Sequence, residues 1–259
     1  MKFILFAFTI LFSTSCSLIV FPPTESKIRA KKGFEWIEQF SSDRRFTFMI
    51  EKGAIQENQY NRLEETVRIH LDRCIKFLDI SDPNEKYTYV IVASRERVKN
   101  LIGVSPQATA NPSKCLIVGD PAALQVAHEL AHVVSIRFLG SSKQWIQEGV
   151  AVATDDHWFN YDLHALANHL RIQGNLLAMS ELASNFKNYN TLITYPQAGS
   201  FIKFLKENYG SAKLKEFWKS GGSNADKIFG QDLLSIERAW IATISSNTSP
   251  INGVYKIQS

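Results

Sequence analysis

The pattern of apolar and polar positions changes near the middle of the chain. From residue 34 to residue 119, short apolar runs typical of strands alternate with amphipathic helical segments. The predicted strands cover 46–50, 87–92 and 115–118, the predicted helices cover 61–78 and 95–101, and the polar stretch 103–114 is expected to be a loop. Beyond residue 119 the strand pattern disappears, and helices are predicted over 121–139, 144–155, 162–172, 196–209, 212–219 and 232–244.

This order of elements predicts an α+β fold. A small mixed sheet with helices is expected to form the N-terminal half, a helical subdomain the C-terminal half, and the helix at 121–139 the junction between them. The α/β subdomain is assigned to 34–119 and the helical subdomain to 120–245, and together they make up one domain. Residues 246–259 are expected to be a loose tail.

Composition narrows the class of protein. The 259 residues are 45% apolar and 21% charged, which excludes a disordered, collagen-like or disulfide-dense chain. The formal net charge of +4 comes from 29 basic and 25 acidic residues, and the basic residues form no long stripe. We therefore expect no nucleic-acid partner.

The N-terminus resembles an export signal with a lipid attachment site. The apolar run 3–12 has the length of a signal-peptide core and is too short to span a bilayer. The small residues 13–15 before Cys16 resemble a bacterial lipoprotein cleavage box, in which the cysteine becomes the lipidated first residue. This resemblance implies a signal peptide over 1–15, a lipid-anchored tether over 16–33, and a membrane-attached protein of the bacterial cell envelope. Ordinary cleaved secretion and an uncleaved anchor through 17–21 are the alternatives.

Two further cysteines, Cys74 and Cys115, allow two interpretations. Outside the cytoplasm they can form a disulfide. However, Cys74 lies in the apolar stripe of the helix predicted over 61–78, and Cys115 opens a predicted strand. Two buried thiols that act as small apolar side chains are therefore the alternative.

A candidate metal-binding motif, His-Glu-x-x-His at 128–132, lies on the helix predicted over 121–139. Residues four apart share one face of a helix, so the imidazoles of His128 and His132 can bind one metal ion. Glu129 projects toward the side where the metal would activate a water. The alternative is a pair of surface or hydrogen-bonded core histidines, but the apolar residues around the motif favour burial, where an unpartnered imidazole is costly.

Glu148 is the predicted third ligand, because a catalytic zinc usually takes three protein ligands and keeps a fourth position for water. It lies on the next predicted helix and is the only carboxylate between His132 and Asp155. A short connection brings this helix back against the first, and small residues such as Gly149 are expected to permit their close approach. The sequence thus predicts a zinc site made by the two histidines of the motif and Glu148.

The motif and the later segment Trp-Ile-Gln-Glu-Gly-Val-Ala at 145–151 resemble the gluzincin, or thermolysin-like, metallopeptidases. The similarity covers about 87–244 and includes the segments 195–205, 209–210, 213–214 and 229–240. It implies zinc as the cofactor and a peptide or protein as the substrate. It also implies an edge strand beside the cleft above the metal helix, a role assigned here to 115–118.

The resemblance also implies a role for each site residue. The two histidines and Glu148 match the zinc ligands, and Glu129 matches the general base, which takes a proton from water and delivers it to the leaving amine. Family members steady the oxyanion with a tyrosine or histidine. Tyr195 is the first candidate for this role and His157 the second, and simple packing of Tyr195 is the alternative.

One position departs from the thermolysin pattern. That group carries an aspartate four residues after its glutamate ligand, where it orients a metal-binding histidine, but Val152 stands at this position here. Asp155, seven residues after Glu148 and hence on the same helix face, is the candidate substitute, and Asp156 is the next. Solvated acids at a helix end are the other interpretation.

Two further functions fit the same sequence. The chain can be a catalytically silent surface lipoprotein of this fold that binds another component, or a zinc hydrolase that acts on a non-peptide bond. The intact Glu129 argues against the silent form, since a binding module has no need of the base.

Overall fold

The computed structural model describes residues 22–104, 106–122, 126–247, 249 and 251. Within them the fold is α+β, as the sequence predicts. The predicted signal peptide at 1–15, Cys16 and most of the predicted tail lie outside the described residues.

The N-terminal half is built on a five-stranded mixed sheet. Its elements are α1 (Glu25–Arg29), β1 (Trp36–Phe40), β2 (Phe46–Glu51), α2 (Tyr60–Leu78), β3 (Tyr87–Ile91), α3 (Arg95–Ile102), β4 (Ala108–Asn111) and β5 (Leu116–Gly119). The strand order is β1-β2-β3-β5-β4. The three central strands run parallel, and the outer strands β1 and β4 are antiparallel to their neighbours.

The C-terminal half is helical apart from one short hairpin. Its elements are α4 (His128–Leu139), α5 (Gln144–Asp155), β6 (His157–Trp158), β7 (Tyr161–Asp162), α6 (Leu163–Ile172), α7 (Met179–Asn185), α8 (Thr191–Lys219), α9 (Ala225–Phe229) and α10 (Leu233–Ser245). Gly210, with φ of 80°, breaks α8 between the two helices predicted there. Among the described residues, no helix has the length and apolar character needed to cross a membrane.

The two faces of the sheet pack against different layers. One face joins α2, α4 and the C-terminal helices in a single large core that extends from Phe46 to Ile244. The other face has a small core of its own, formed with α1 and α3 and centred on residues such as Ile28, Met49 and Val98. The metal-motif helix α4 therefore lies between the sheet and the C-terminal helices.

The described part of the expected tether, 22–33, packs on the domain. Ile28 of α1 is fully buried against the sheet, and the Thr88 hydroxyl donates a hydrogen bond to Glu25. The Asn111 amide also donates to the Pro22 carbonyl. The expectation of a tether through residue 33 is wrong over this stretch, because one buried isoleucine among charged residues carries too weak a pattern to predict a packed helix.

Two boundaries near the motif also differ from the prediction. The helix predicted to begin at Pro121 begins at His128, and at Asp120 the carboxylate accepts the Ala122 N–H in a local turn. The expected loop 103–114 contains the strand β4. This strand, rather than 115–118, is the edge of the sheet, since β5 lies between β3 and β4.

Both described cysteines are free thiols. Cys74 of α2 is fully buried in the large core, and burial raises the pKa of its thiol far above the ordinary range. Cys115 precedes β5 and is 4% exposed. The structure therefore agrees with the second interpretation, in which Cys74 and Cys115 are two buried free thiols.

Candidate metal centre

The candidate site lies where the first turns of α4 face the middle of α5. The chain leaves α4 at Gly140, whose φ of 83° permits the sharp turn into α5. Every residue from Trp145 to Asp155 is buried, so α5 is an interior helix. Its carboxylate Glu148 is therefore held in a water-poor environment beside the two histidines of the motif.

The three predicted ligands converge on one point. His128 Nε2 lies 3.1 Å from Glu148 Oε2, and His132 Nε2 lies 3.3 Å from the same oxygen. The two Nε2 atoms are 3.2 Å apart. The imidazole planes stand at 85° to each other, with ring centroids 4.8 Å apart. The predicted ligand residues are thus together, with their donor atoms at the corners of a nearly equilateral triangle.

This triangle could hold a metal ion. Among the residues that the structure describes, these three form a group of potential metal ligands whose ligand atoms all lie within 4.8 Å of one another. Two imidazole nitrogens and one carboxylate oxygen form a donor set that first-row divalent metals accept. Hydrogen bonds account for the two histidine–glutamate contacts, because each neutral ring can donate one Nε2–H to Glu148. They then leave the two Nε2 atoms 3.2 Å apart with no hydrogen bond between them, whereas a shared metal ion accounts for all three distances.

The protonation states favour a bound cation. Burial alone would lower the pKa of His128, but the hydrogen bond and charge of Glu148 raise it to about 9. Burial would raise the pKa of Glu148, yet the two histidines hold it well below its usual range. Glu148 is therefore an anion at neutral pH, and the site attracts positive charge, either a proton or a metal.

Glu129 is partly buried beside the ligands. Burial raises the pKa of its carboxyl group, the two histidines lower it, and the charge of Glu148 raises it, with a net upward shift. A carboxyl group with a raised pKa next to a metal site is suited to accept and return a proton. The structure thus has Glu129 in the electrostatic field of all three ligands.

Tyr195 lies against the site through its ring. Its centroid is 6.1 Å from that of His128, with the two planes 16° apart. Trp158 and Phe186 surround the other sides of the ring, with centroids 5.4 and 5.6 Å away. Tyr195 is 5% exposed. The tyrosine is therefore both a packing residue and a direct neighbour of a predicted ligand.

Asp155 is also at the site, but not in the predicted manner. Its Oδ1 accepts the backbone N–H of Ala127 at 2.8 Å, so its hydrogen bond goes to the start of α4 and not to an imidazole. The guanidinium of Arg73, on α2, approaches the same oxygen to 3.9 Å. Burial raises the pKa of Asp155 and outweighs its hydrogen bond to Ala127 and the nearby charges, so the net shift is upward.

The remaining candidates lie nearby in different roles. Asp156 is exposed and forms an ion pair with Lys203, so it is not an orienting group for the histidines. His157 lies on β6, close enough to Asp155 to influence the pKa of that carboxyl group. Arg73 was not predicted, because only the packing of α2 against α5 brings it to this place.

Gly149 serves a different contact from the predicted one. A Cβ at this position would lie 3.0 Å from the Ala198 carbonyl oxygen and 2.7 Å from Ile202 Cγ1. Both residues belong to α8, so the glycine lets α5 approach α8 and not α4. The position of Glu148, the residue before this glycine, therefore depends in part on the packing of α5 against α8.

Comparison with models of known protein families and with curated protein sequences gave no match. The site geometry and the sequence resemblance are therefore the basis for the functional proposal.

Proposed function

We propose that this protein is a zinc-dependent metallopeptidase of the gluzincin type. The observation that carries the proposal is the triangle of His128, His132 and Glu148, whose ligand atoms are 3.1 to 3.3 Å apart. The position of Glu129 beside the triangle supports hydrolysis rather than metal storage.

The triangle suits zinc in particular. Tetrahedral zinc with bonds of about 2.0–2.1 Å to nitrogen and oxygen separates its ligands by about 3.4 Å. The three observed separations are close to that value. Two histidines and a glutamate also leave one position of a tetrahedron for water or substrate, as catalytic zinc sites do.

The reaction then follows from the neighbouring side chains. Zinc bound to the triangle supplies a Lewis acid that acidifies water and polarises the scissile carbonyl. Glu129 takes the proton of the attacking water and returns it to the leaving amine, for which its raised pKa is suited. The Tyr195 hydroxyl is our candidate donor to the developing oxyanion, supported by the stacking of its ring on His128.

The substrate proposed is a peptide or protein in extended form. β4 is the outermost strand of the sheet on its side and packs against α4. Extended peptides commonly bind beside such an edge strand. We further propose, from the resemblance of 13–16 to a lipoprotein box, that Cys16 is lipidated and that the protein acts in the bacterial cell envelope.

A single comparison tests this function. The full chain, purified in detergent, and its Glu129→Gln variant are incubated with a peptide library, and the zinc content of both is measured. We expect about one zinc per molecule in both proteins and cleavage by the parent alone. Unchanged cleavage by the variant would exclude Glu129 as the base. A zinc-loaded parent that cleaves no peptide would overturn the peptidase assignment in favour of a silent binding protein or a non-peptide hydrolase.

A further inference from the structure

We propose that Asp155 is a positioning residue of the metal centre that acts through the backbone of α4. From the end of α5 it fixes the residue before His128, and so sets the separation between His128 and Glu148. The inference rests on the metal centre of the proposed function, but it does not depend on which bond the protein hydrolyses.

The hydrogen bond between Asp155 and the Ala127 N–H joins two buried groups directly before the predicted ligand His128. Asp155 is 6% exposed and Ala127 is fully buried, and the hydrogen bond between them is 2.8 Å long. Ala127 is the N-cap residue of α4 and directly precedes His128. Any displacement of its backbone N–H therefore moves the first ligand.

Two residues of α5, seven positions apart, thus contact the N-terminal end of α4. Glu148 meets His128 at the ligand triangle, and Asp155 meets Ala127 seven residues later. Seven residues are two turns, or about 10 Å along the helix axis. The Asp155 contact therefore adds a second attachment of the α4 N-terminus to α5, away from the ligand contact.

The chemistry of the contact suits this role. The first N–H groups of a helix have no partner within the helix, and the Ala127 side chain provides no cap. A carboxylate at a helix N-terminus is also favoured by the helix dipole. Arg73 of α2, 3.9 Å away, partly balances the buried charge of Asp155. Three helices therefore meet at this carboxylate, each through a different residue.

Three variants of the full chain separate this role from general stabilisation. Asp155→Ala removes the acceptor. Asp155→Asn keeps an oxygen for the Ala127 N–H but removes the charge. Asp156→Asn removes the neighbouring charge and is the matched control, because Asp156 has φ of 64°, which asparagine tolerates. Each is titrated with Co²⁺, whose visible absorption reports the geometry of the ligands.

We expect Asp155→Ala to weaken Co²⁺ binding by about 10- to 100-fold and to shift its absorption bands. Asp155→Asn should restore most of the affinity, and Asp156→Asn should bind Co²⁺ like the parent. Parent-like affinity and spectrum in Asp155→Ala would overturn the proposal. A tenfold or larger loss in Asp155→Asn would also overturn it, because the charge and not the backbone contact would then be the cause. This second result remains decisive if Asp155→Ala does not fold.

A second measurement separates this inference from the proposed function. In the metal-free proteins, the ¹⁵N chemical shifts of the His128 ring should change in Asp155→Ala and be preserved in Asp155→Asn and Asp156→Asn. Unchanged shifts in Asp155→Ala would contradict the positioning role. Binding of Co²⁺ without peptide cleavage would refute the peptidase and leave the role of Asp155 intact.

Discussion

Gly149 of α5 lies directly against Ala198 of α8, so close that a Cβ at Gly149 would be 3.0 Å from the Ala198 carbonyl oxygen. Glu148 precedes this glycine, and the packing of α5 on α8 is the most extensive helix contact among the described residues. The position of the anionic ligand therefore depends on the packing of α5 against α8 as well as on its contacts with the two histidines.

We expect Gly149→Ala to destabilise the protein and to weaken metal binding together. The added methyl group also meets Ile202 Cγ1 at 2.7 Å, and overpacking of this kind typically costs about 1–3 kcal/mol of unfolding free energy. Urea denaturation and metal titration measure the two effects. Ala212→Ser, which adds one atom at an exposed position of α8, should change the unfolding free energy by less than about 0.5 kcal/mol. A Gly149→Ala protein as stable as the parent would contradict the packing described.

Metal binding should stabilise the folded protein. A ligand that binds only the folded state at about 100 times its Kd adds about 2.7 kcal/mol to the unfolding free energy. Zinc should therefore raise the Tm of the metal-free parent, and a chelator should reverse the rise. Glu148→Ala should lose most of this response, whereas Glu181→Ala, at a half-buried acid of α7 whose carboxylate accepts hydrogen bonds from Asn185 and Tyr189, should keep it. An equal zinc response in Glu148→Ala would show that Glu148 is not a ligand.

Acid should destabilise the protein partly through His70. Burial, aided by the charge of Arg73, lowers the pKa of His70 to about 4, from about 6.5 in an unfolded chain. Between these values the unfolded state binds a proton that the folded state does not, so stability falls as the pH falls from about 6.5 to 4. At about 1.4 kcal/mol per pKa unit, the loss is about 3 kcal/mol.

His70→Gln, which does not titrate, should remove this part of the pH dependence. The measurement is the unfolding free energy of parent and variant at pH 7 and pH 4.5, compared as a double difference. An identical decrease in both proteins would show that His70 does not contribute.

The two thiols should be inaccessible in the folded protein. Cys74 and Cys115 are 0% and 4% exposed, and burial raises the pKa of both, which disfavours the reactive thiolate. An alkylating reagent should label neither residue under native conditions and both in denaturant without reductant, as peptide mapping can show. Labelling that requires a reductant would establish a disulfide instead.

Helix α1 should contribute to the stability of the sheet. Ile28→Ala removes a fully buried side chain from the small core, and such truncations cost about 2–5 kcal/mol. Ile172→Ala makes the same chemical change where the side chain is 70% exposed, so its effect should be small. Equal unfolding free energies for the two variants would mean that α1 does not pack on the sheet in solution.

The sequence predicted best those features that depend on local spacing. The boundaries of α5, at 144–155, match the prediction, and the ligand triangle follows from residues four apart on one helix and a single carboxylate on the next. Local periodicity and a short connection are sufficient to bring these residues together.

Helices and strands that bury few apolar residues were not predicted from the sequence. β4 has the sequence Ala-Thr-Ala-Asn, in which only Ala110 is buried, and α1 buries only Ile28. The partners of Gly149 and Asp155 were also beyond prediction, because they depend on how α8 and the start of α4 pack against α5. Contacts between residues distant in sequence leave no periodic signal along the chain.

The packing of α1 on the sheet limits the distance between Cys16 and the folded domain. Pro22 is already attached to β4 through Asn111, so six Cα–Cα steps separate Cys16 from the folded domain. Even fully extended, six steps span at most about 22 Å. If Cys16 carries the proposed lipid, Pro22 and the neighbouring end of β4 lie within that distance of the bilayer surface.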